Sequence, residues 1–275
     1  MKCEDMVKEL EKLCRPSCAL DWDNVGLLAG SKEKEVKKIL VSLDCDNAAV
    51  ETAVSIGADM IITHHPIIFS KVGRVTDDNI VTARIIKMIE NGICGYSMHT
   101  NFDATVMAKL AAEYLGLSET KPLEIVGTDC ERGESPAGCG DENAGDFLGI
   151  GSIGIPDCIE NVEYWCEKVK QVFDIPNVIL YGDEKAVVRK VAVCPGSGKE
   201  YIPLVRAMGA NLFITGDINH HAGLDAIDMG INVMDASHYG IEYIFVDYIS
   251  QYIKECFGNS VEVVKMPKSM PFKIY

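Results

Sequence analysis

Two hydrophobic periods alternate along this chain. The stretch "MVKELEKLC" repeats its apolar residues every three to four positions, the spacing of a helix with one buried face. Short unbroken apolar runs, "KKILVSL", "ADMIIT" and "ICGYSM", read as buried strands. Between them "DNAAVETAVSIG" and "NIVTARIIKMIENG" carry the helical period, and "DWDNVGLLAG", Asp21 to Gly30, predicts a polar turn running into a short strand. Strands that alternate with helices in this way imply βαβ crossovers and a mostly parallel sheet with helices on both faces. The rhythm returns later as "VRKVAVC", a helix near Tyr201 to Met208, "ANLFIT", a helix near His220 to Met229, "INVMDA", and a long helix from about Tyr239.

The two parts superimpose as sequences. "VKKILV" starts at Val36 and "VRKVAV" at Val188, while "GADMIIT" starts at Gly57 and "GANLFIT" at Gly209, so one offset serves both pairs. "NGICGYSMHT" resembles "MGINVMDASH" at a smaller offset, which shortens the intervening segment of the second part. An internal duplication follows, and with it an α/β fold of two similar lobes. We expect a first lobe over residues 1–126, with room for the carboxyl-terminal helix to pack on it, and a second over 147–275. Between them "GTDCERGESPAGCGDENAGD", residues 127–146, is rich in glycine and acid without an apolar period, and predicts a flexible loop, either a surface insertion or a lid.

Composition narrows the class. A length of 275 residues with 48% hydrophobic content supplies a large core, and the formal charge of −15 repels polyanions, which disfavours nucleic acid as a partner. The first residues lack the order of a secretory signal and no apolar run approaches a membrane span, so a cytoplasmic location is expected. Eleven cysteines without CxxC pairs fit reduced thiols better than a disulfide framework or a zinc ribbon.

The chemistry is concentrated in the histidines. In parallel α/β sheets, ligands collect at the carboxyl ends of strands. His64 and His65 follow "ADMIIT", His99 follows "ICGYSM", His220 and His221 follow "ANLFIT" within a few residues, and His238 follows "INVMDA". All six therefore fall on one edge of the predicted sheets, and imidazole is a common ligand of borderline metals. Asp103 stands where a helix should start and can serve as N-cap or cation ligand. His238 and Glu242 share a helix face at i, i+4 spacing, beside the apolar stripe Ile241, Phe245, Tyr248 and Tyr252. Adjacent histidines held at a strand end by Pro66 diverge and suit two neighbouring metals, with a structural turn as the alternative. "CPGSGKE", Cys194 to Glu200, reads as a strand-to-helix turn, with a phosphate nest as the alternative, and lacks the spacing of a P-loop.

In this order, "WDNVGLLAG", "GADMIITHHPIIF", "HTNFDA" and "GDINHHAGLDAIDMGINVMDASHYGIE" resemble the GTP cyclohydrolase I type 2 family, the Nif three-like proteins, over nearly the whole chain. The resemblance implies a ring-shaped homohexamer and a dinuclear metal site in the cleft between the lobes. It implies His64 and His65 as ligands of different metals, Asp103 and His238 as further ligands, and Glu242 as the bridging carboxylate. His99, His220 and His221 would line the cleft as supporting groups or acid/base catalysts. Two divalent ions are implied, and a set of His and carboxylate ligands suits zinc, iron, manganese, cobalt or nickel. The implied chemistry is water attack on a purine nucleotide or related cyclic amide; the alternative is a non-catalytic, metal-binding hexameric regulatory or interaction protein. Where many relatives read "GxGRxG" this chain has "GIGSIG", with Ser152 at the arginine position, and Lys71 and Arg74 are the nearest basic residues in sequence for an anionic substrate, with solvated surface charge as the equal alternative.

Overall fold

The computed structural model describes residues 1–128 and 147–274, so the predicted loop lies outside the described residues except for Gly127 and Thr128, which close a strand. In chain order the regular elements begin with α1 (Cys3–Leu13), β1 (Gly26–Ala29), β2 (Lys38–Ser42), α2 (Asn47–Ile56), β3 (Met60–Thr63), α3 (Ile80–Glu90), β4 (Cys94–Ser97) and α4 (Thr100–Phe102). They continue with α5 (Ala108–Tyr114), β5 (Leu117–Thr128), β6 (Phe147–Pro156), α6 (Val162–Val172), β7 (Ile179–Tyr181) and β8 (Val191–Ser197). The last are α7 (Ile202–Ala207), β9 (Leu212–Gly216), α8 (His220–Asp228), β10 (Asn232–Asp235), α9 (His238–Glu242), α10 (Ile244–Phe257) and β11 (Glu262–Lys265). The chain forms two compact units, Met1–Phe102 with Phe245–Lys268, and Asp103–Ile244 with Ser269–Tyr275.

The first unit holds a five-stranded sheet in the order β1-β4-β3-β2-β11, parallel throughout except for β1. Every residue of β3 is buried, which explains why its sequence is an unbroken apolar run rather than an alternating one. Helix α2 is set by local signals: the Asp46 side chain accepts from the Ala49 amide, and Gly57, at φ 66°, ends the helix in the left-handed conformation. Leu40, Ile61, Val50, Ala53, Ile85 and Met88 belong to one buried cluster.

In the second unit the order is β5-β6-β8-β9-β10-β7. Here the mostly parallel expectation holds for the core β8-β9-β10 alone; β6 joins β8, β5 joins β6 and β7 joins β10 antiparallel. "GIGSIG" lies within β6, where Gly151 has a φ of 62° that disfavours a side chain and a Cβ would meet Leu123 Cδ1 at 2.7 Å and the Val193 carbonyl oxygen at 3.0 Å, while Ser152 donates to the Ala108 carbonyl at 2.9 Å. The motif thus serves the approach of β5 and β6.

The duplication is visible in the topology. The run β1-β4-β3-β2 of the first sheet is matched by β7-β10-β9-β8 of the second, with the edge strand antiparallel in each. The long helix expected from Tyr239 occurs as two pieces, α9 and α10, that meet at Tyr243. Among the described residues nine cysteines are free thiols, and no helix is long and apolar enough to cross a membrane.

Candidate metal centre

In the first unit three parallel strands and one antiparallel strand deliver side chains to the same edge of the sheet. His64 and His65 follow β3, Asp44 follows β2 and His99 follows β4. Because β1 runs the other way, with Gly26 opposite Ser97, it is the residues before β1 that reach this edge, and Asp23 is among them. The turn after β3 is fixed by one carbonyl, Leu43 O, which accepts from the His64 amide at 3.1 Å and the His65 amide at 3.0 Å. The Thr63 hydroxyl bonds the Ser97 hydroxyl at 2.9 Å and donates to the His65 carbonyl at 2.9 Å.

One nitrogen from each of His64, His65 and His99 lies within 4.8 Å of one from each of the others. In every ring Nδ1 faces an acceptor: Met98 O at 2.8 Å for His64, Asp44 Oδ1 at 2.9 Å for His65 and Asp23 Oδ1 at 3.0 Å for His99. A carbonyl or carboxylate oxygen cannot donate, so each Nδ1 carries the hydrogen, and in a neutral ring the lone pair is at Nε2. Outer partners of this kind fix the tautomer of metal-ligating histidines. The His64 ring is fully buried, against Phe245 at 5.2 Å and Phe102 at 6.2 Å between centroids.

Asp23 is the least expected of these residues. Its carboxylate accepts from His99 and also from the Thr100 amide at 3.0 Å and the Thr100 hydroxyl at 2.6 Å, which makes it the cap of the helix that starts at Thr100. Burial pushes its pKa up, but the bonds from His99 and Thr100 outweigh burial and hold it at about 2. Asp103, considered above as N-cap, lies beyond the start of that helix and opens a π-helical turn, Asp103–Met107.

The second unit builds a different arrangement from the equivalent strand ends. His238 Nδ1 is 2.7 Å from Asp217 Oδ2, and Nε2 is 3.0 Å from Glu242 Oε2. A neutral imidazole offers one hydrogen, so with Nδ1–H donated to Asp217 the Nε2–Glu242 contact needs either a further proton, on the ring or on the carboxyl, or a cation shared between the two. Glu242 is buried, where an ionised carboxylate is costly unless it is paired with a positive group or hydrogen-bonded, and otherwise takes up a proton. Burial of Cys194 raises its pKa, and the Asp103, Glu242 and Glu124 carboxylates add to the effect.

The backbone here is strained in a way that aims these groups. Asp217 and Ser237 have φ values of 58° and 63°, unusual for non-glycine residues and typical of functional sites. Asp235 accepts from the Ile218 and Ser237 amides, each at 2.8 Å, and the Ser237 hydroxyl caps α9 by accepting from the Gly240 amide at 3.2 Å. At Gly216 a Cβ would lie 2.5 Å from the His238 amide nitrogen, so only glycine permits this approach.

Of the sequence-predicted residues, His64, His65 and His99 gather in the first unit, and His238 and Glu242 form a pair in the second. Asp103 acts with Glu242 on Cys194, and His220 and His221 are exposed at the start of α8, their rings 5.3 Å apart. Sequence reasoning missed the orienting carboxylates Asp23, Asp44 and Asp217, although each lies at the histidine-bearing edge of its own sheet, Asp23 within the "DWDNVGLLAG" turn.

Comparison with known proteins adds an independent finding. Residues 1–271 match the family described as Duf34/NIF3 (NGG1p interacting factor 3). A protein of Clostridium perfringens named GTP cyclohydrolase 1 type 2 homolog is 32% identical over 99% of both chains. Among solved structures, the Staphylococcus aureus protein SA1388 is similar with a TM-score of 0.84 and 27% identity, covering 100% of this chain and 99% of that one. A Bacillus cereus protein related to NIF3 has a TM-score of 0.89 at 24% identity, covering 100% of this chain and 99% of that one, and supports the fold.

Proposed function

Since the chain belongs to the Duf34/NIF3 family, we propose that it is a dinuclear metal-dependent hydrolase with His64, His65, Asp103, His238 and Glu242 as ligands, Glu242 bridging. The observation that carries this reading is the donor chemistry: four imidazoles have Nδ1 committed to a carbonyl or carboxylate, and one of them turns Nε2 towards the buried Glu242 carboxylate at 3.0 Å. This is the donor set that divalent zinc, iron, manganese, cobalt or nickel takes. When bound, two such cations supply Lewis acidity and lower the pKa of a water.

The chain's own residues contribute orientation and proton traffic. Asp44 and Asp217 hold His65 and His238 in one tautomer, and Asp23 does the same for His99. His99 is partly exposed, so it can exchange a proton with solvent, and it serves as an acid/base group; His220 and His221 are assigned the same role. The substrate is a purine nucleotide or related cyclic amide, by analogy with the relatives' name, and the working form is a homohexamer. The free thiols suit a reducing, cytoplasmic setting.

The test is metal content of protein purified without added metal, followed by formate release from GTP with the parent and with Glu242→Gln. Two equivalents of metal and metal-dependent turnover, lost in Glu242→Gln while the fold persists, are expected. Unchanged turnover in Glu242→Gln rejects the assignment, and metal uptake without any turnover favours the non-catalytic regulatory module.

A further inference from the structure

We infer that Trp22 and Phe69 form a stacking site for the planar heterocycle of the substrate; this rests on the hydrolase reading and adds to it the side chains that hold the ring. Both are large aromatic residues that remain exposed, 59% for Trp22 and 61% for Phe69. Their ring centroids are 5.8 Å apart and inclined by 54°, and they lie 5.9 Å and 6.3 Å from the His99 ring, a member of the imidazole cluster. An exposed aromatic pair beside a group of imidazoles offers ring faces to a ligand that must reach those imidazoles.

The pair is held in place by its neighbours rather than by its own burial. On the Trp22 side, the adjacent Asp23 is bonded to His99 and Thr100, and Leu20 donates its amide to the Thr100 hydroxyl at 2.9 Å. Asn24 then donates its side-chain amide to the Ile68 carbonyl at 2.6 Å, which ties the turn carrying Trp22 to the residue before Phe69. Residues on both sides of Trp22 are thus fixed while the indole stays in water, an arrangement that lowers the ordering cost of binding. Lys71 and Arg74 follow Phe69 and are exposed, which suits a heterocycle carrying an anionic substituent.

Intrinsic fluorescence tests this directly, because the only other tryptophan, Trp165, is fully buried and serves as an internal reference. Acrylamide should quench Trp22 and spare Trp165, and guanosine should quench the same component while ribose 5-phosphate does not. By equilibrium dialysis, Trp22→Ala and Phe69→Ala should each weaken guanosine binding roughly 5- to 100-fold, the range of one lost stacking contact. Trp22→Phe should restore most of the affinity, and melting curves and metal content should match the parent in all three variants. The inference is overturned if acrylamide fails to reach Trp22, meaning another chain covers it, or if guanosine leaves its emission unchanged. It also falls if Trp22→Ala binds guanosine as the parent does. Guanosine binding without turnover by metal-loaded protein sinks the hydrolase reading and leaves the stacking site standing; turnover with an unchanged KM in Trp22→Ala does the reverse.

Discussion

Replacing Gly216 by alanine isolates the approach of His238 to the end of β9. The new Cβ would sit 2.5 Å from the His238 amide nitrogen, 2.8 Å from its Cα and 2.9 Å from the Gly196 carbonyl oxygen, all backbone atoms. Contacts under 3.0 Å essentially do not occur at a real Cβ, so His238 must retreat by at least 3.0 − 2.5 = 0.5 Å. Overpacking of this kind costs about 1–3 kcal/mol, and at this chain size each kcal/mol lowers Tm by about 2–4 °C. The matched control is Gly209→Ala in the same unit: its φ of 82° disfavours a side chain, but nothing lies within 4 Å of the added methyl. That variant costs a similar ~1–2 kcal/mol through the backbone alone. The two should therefore melt within a few degrees of each other and differ in metal affinity. A half-ångström displacement is at the tolerance of a binding constellation, so Gly216→Ala should bind zinc about 10- to 100-fold more weakly, measured by competition with a chromophoric chelator. Equal zinc affinities in the two glycine variants would refute the assignment of His238 as a ligand positioned by this contact.

Asp217→Asn keeps an acceptor for His238 Nδ1 and a residue type tolerant of the φ of 58°, but removes the charge that orients the ring; zinc affinity should fall about tenfold or more with Tm nearly unchanged. Asp23 is held at about 2, below its ordinary carboxylate value of 3.8, so its contribution is complete above pH ~4 and lost as pH falls towards 2. Acid titration of metal-free protein followed by circular dichroism should show that loss, and Asp23→Asn should flatten it. Exhaustive chelation should lower Tm, and free zinc at one hundred times Kd should return about 2.7 kcal/mol of stability; a melting curve indifferent to chelator would contradict a resident metal.

Much of the first unit was legible because its strands are buried on both faces, so "KKILVSL" and "ADMIIT" stand out as unbroken apolar runs. The offset between the repeats is legible for the same reason, and equivalent strands occupy equivalent places in the two sheets. The pair β5 and β6 was not anticipated: glycines at 149, 151 and 154 and the bulges of the ladder interrupt any period of two, and the packing that requires them is made with a strand whose partner follows the undescribed segment. The histidines were legible by type and position. Asp23, Asp44 and Asp217 were not, because a carboxylate at a strand end looks like any solvated acid until the ring it orients is placed beside it.

The reversed direction of β1 has a practical consequence for anyone rebuilding this protein. The imidazoles and their orienting carboxylates in the first sheet lie on one rim, and the opposite rim is where Gly57 to Asp59 lead into β3 and Asn91 to Ile93 lead into β4. A graft, an affinity tag or relocated termini placed at Gly57 or Gly92 would leave the imidazoles untouched, which makes that rim the natural handle for immobilising the protein with its chemistry facing outward.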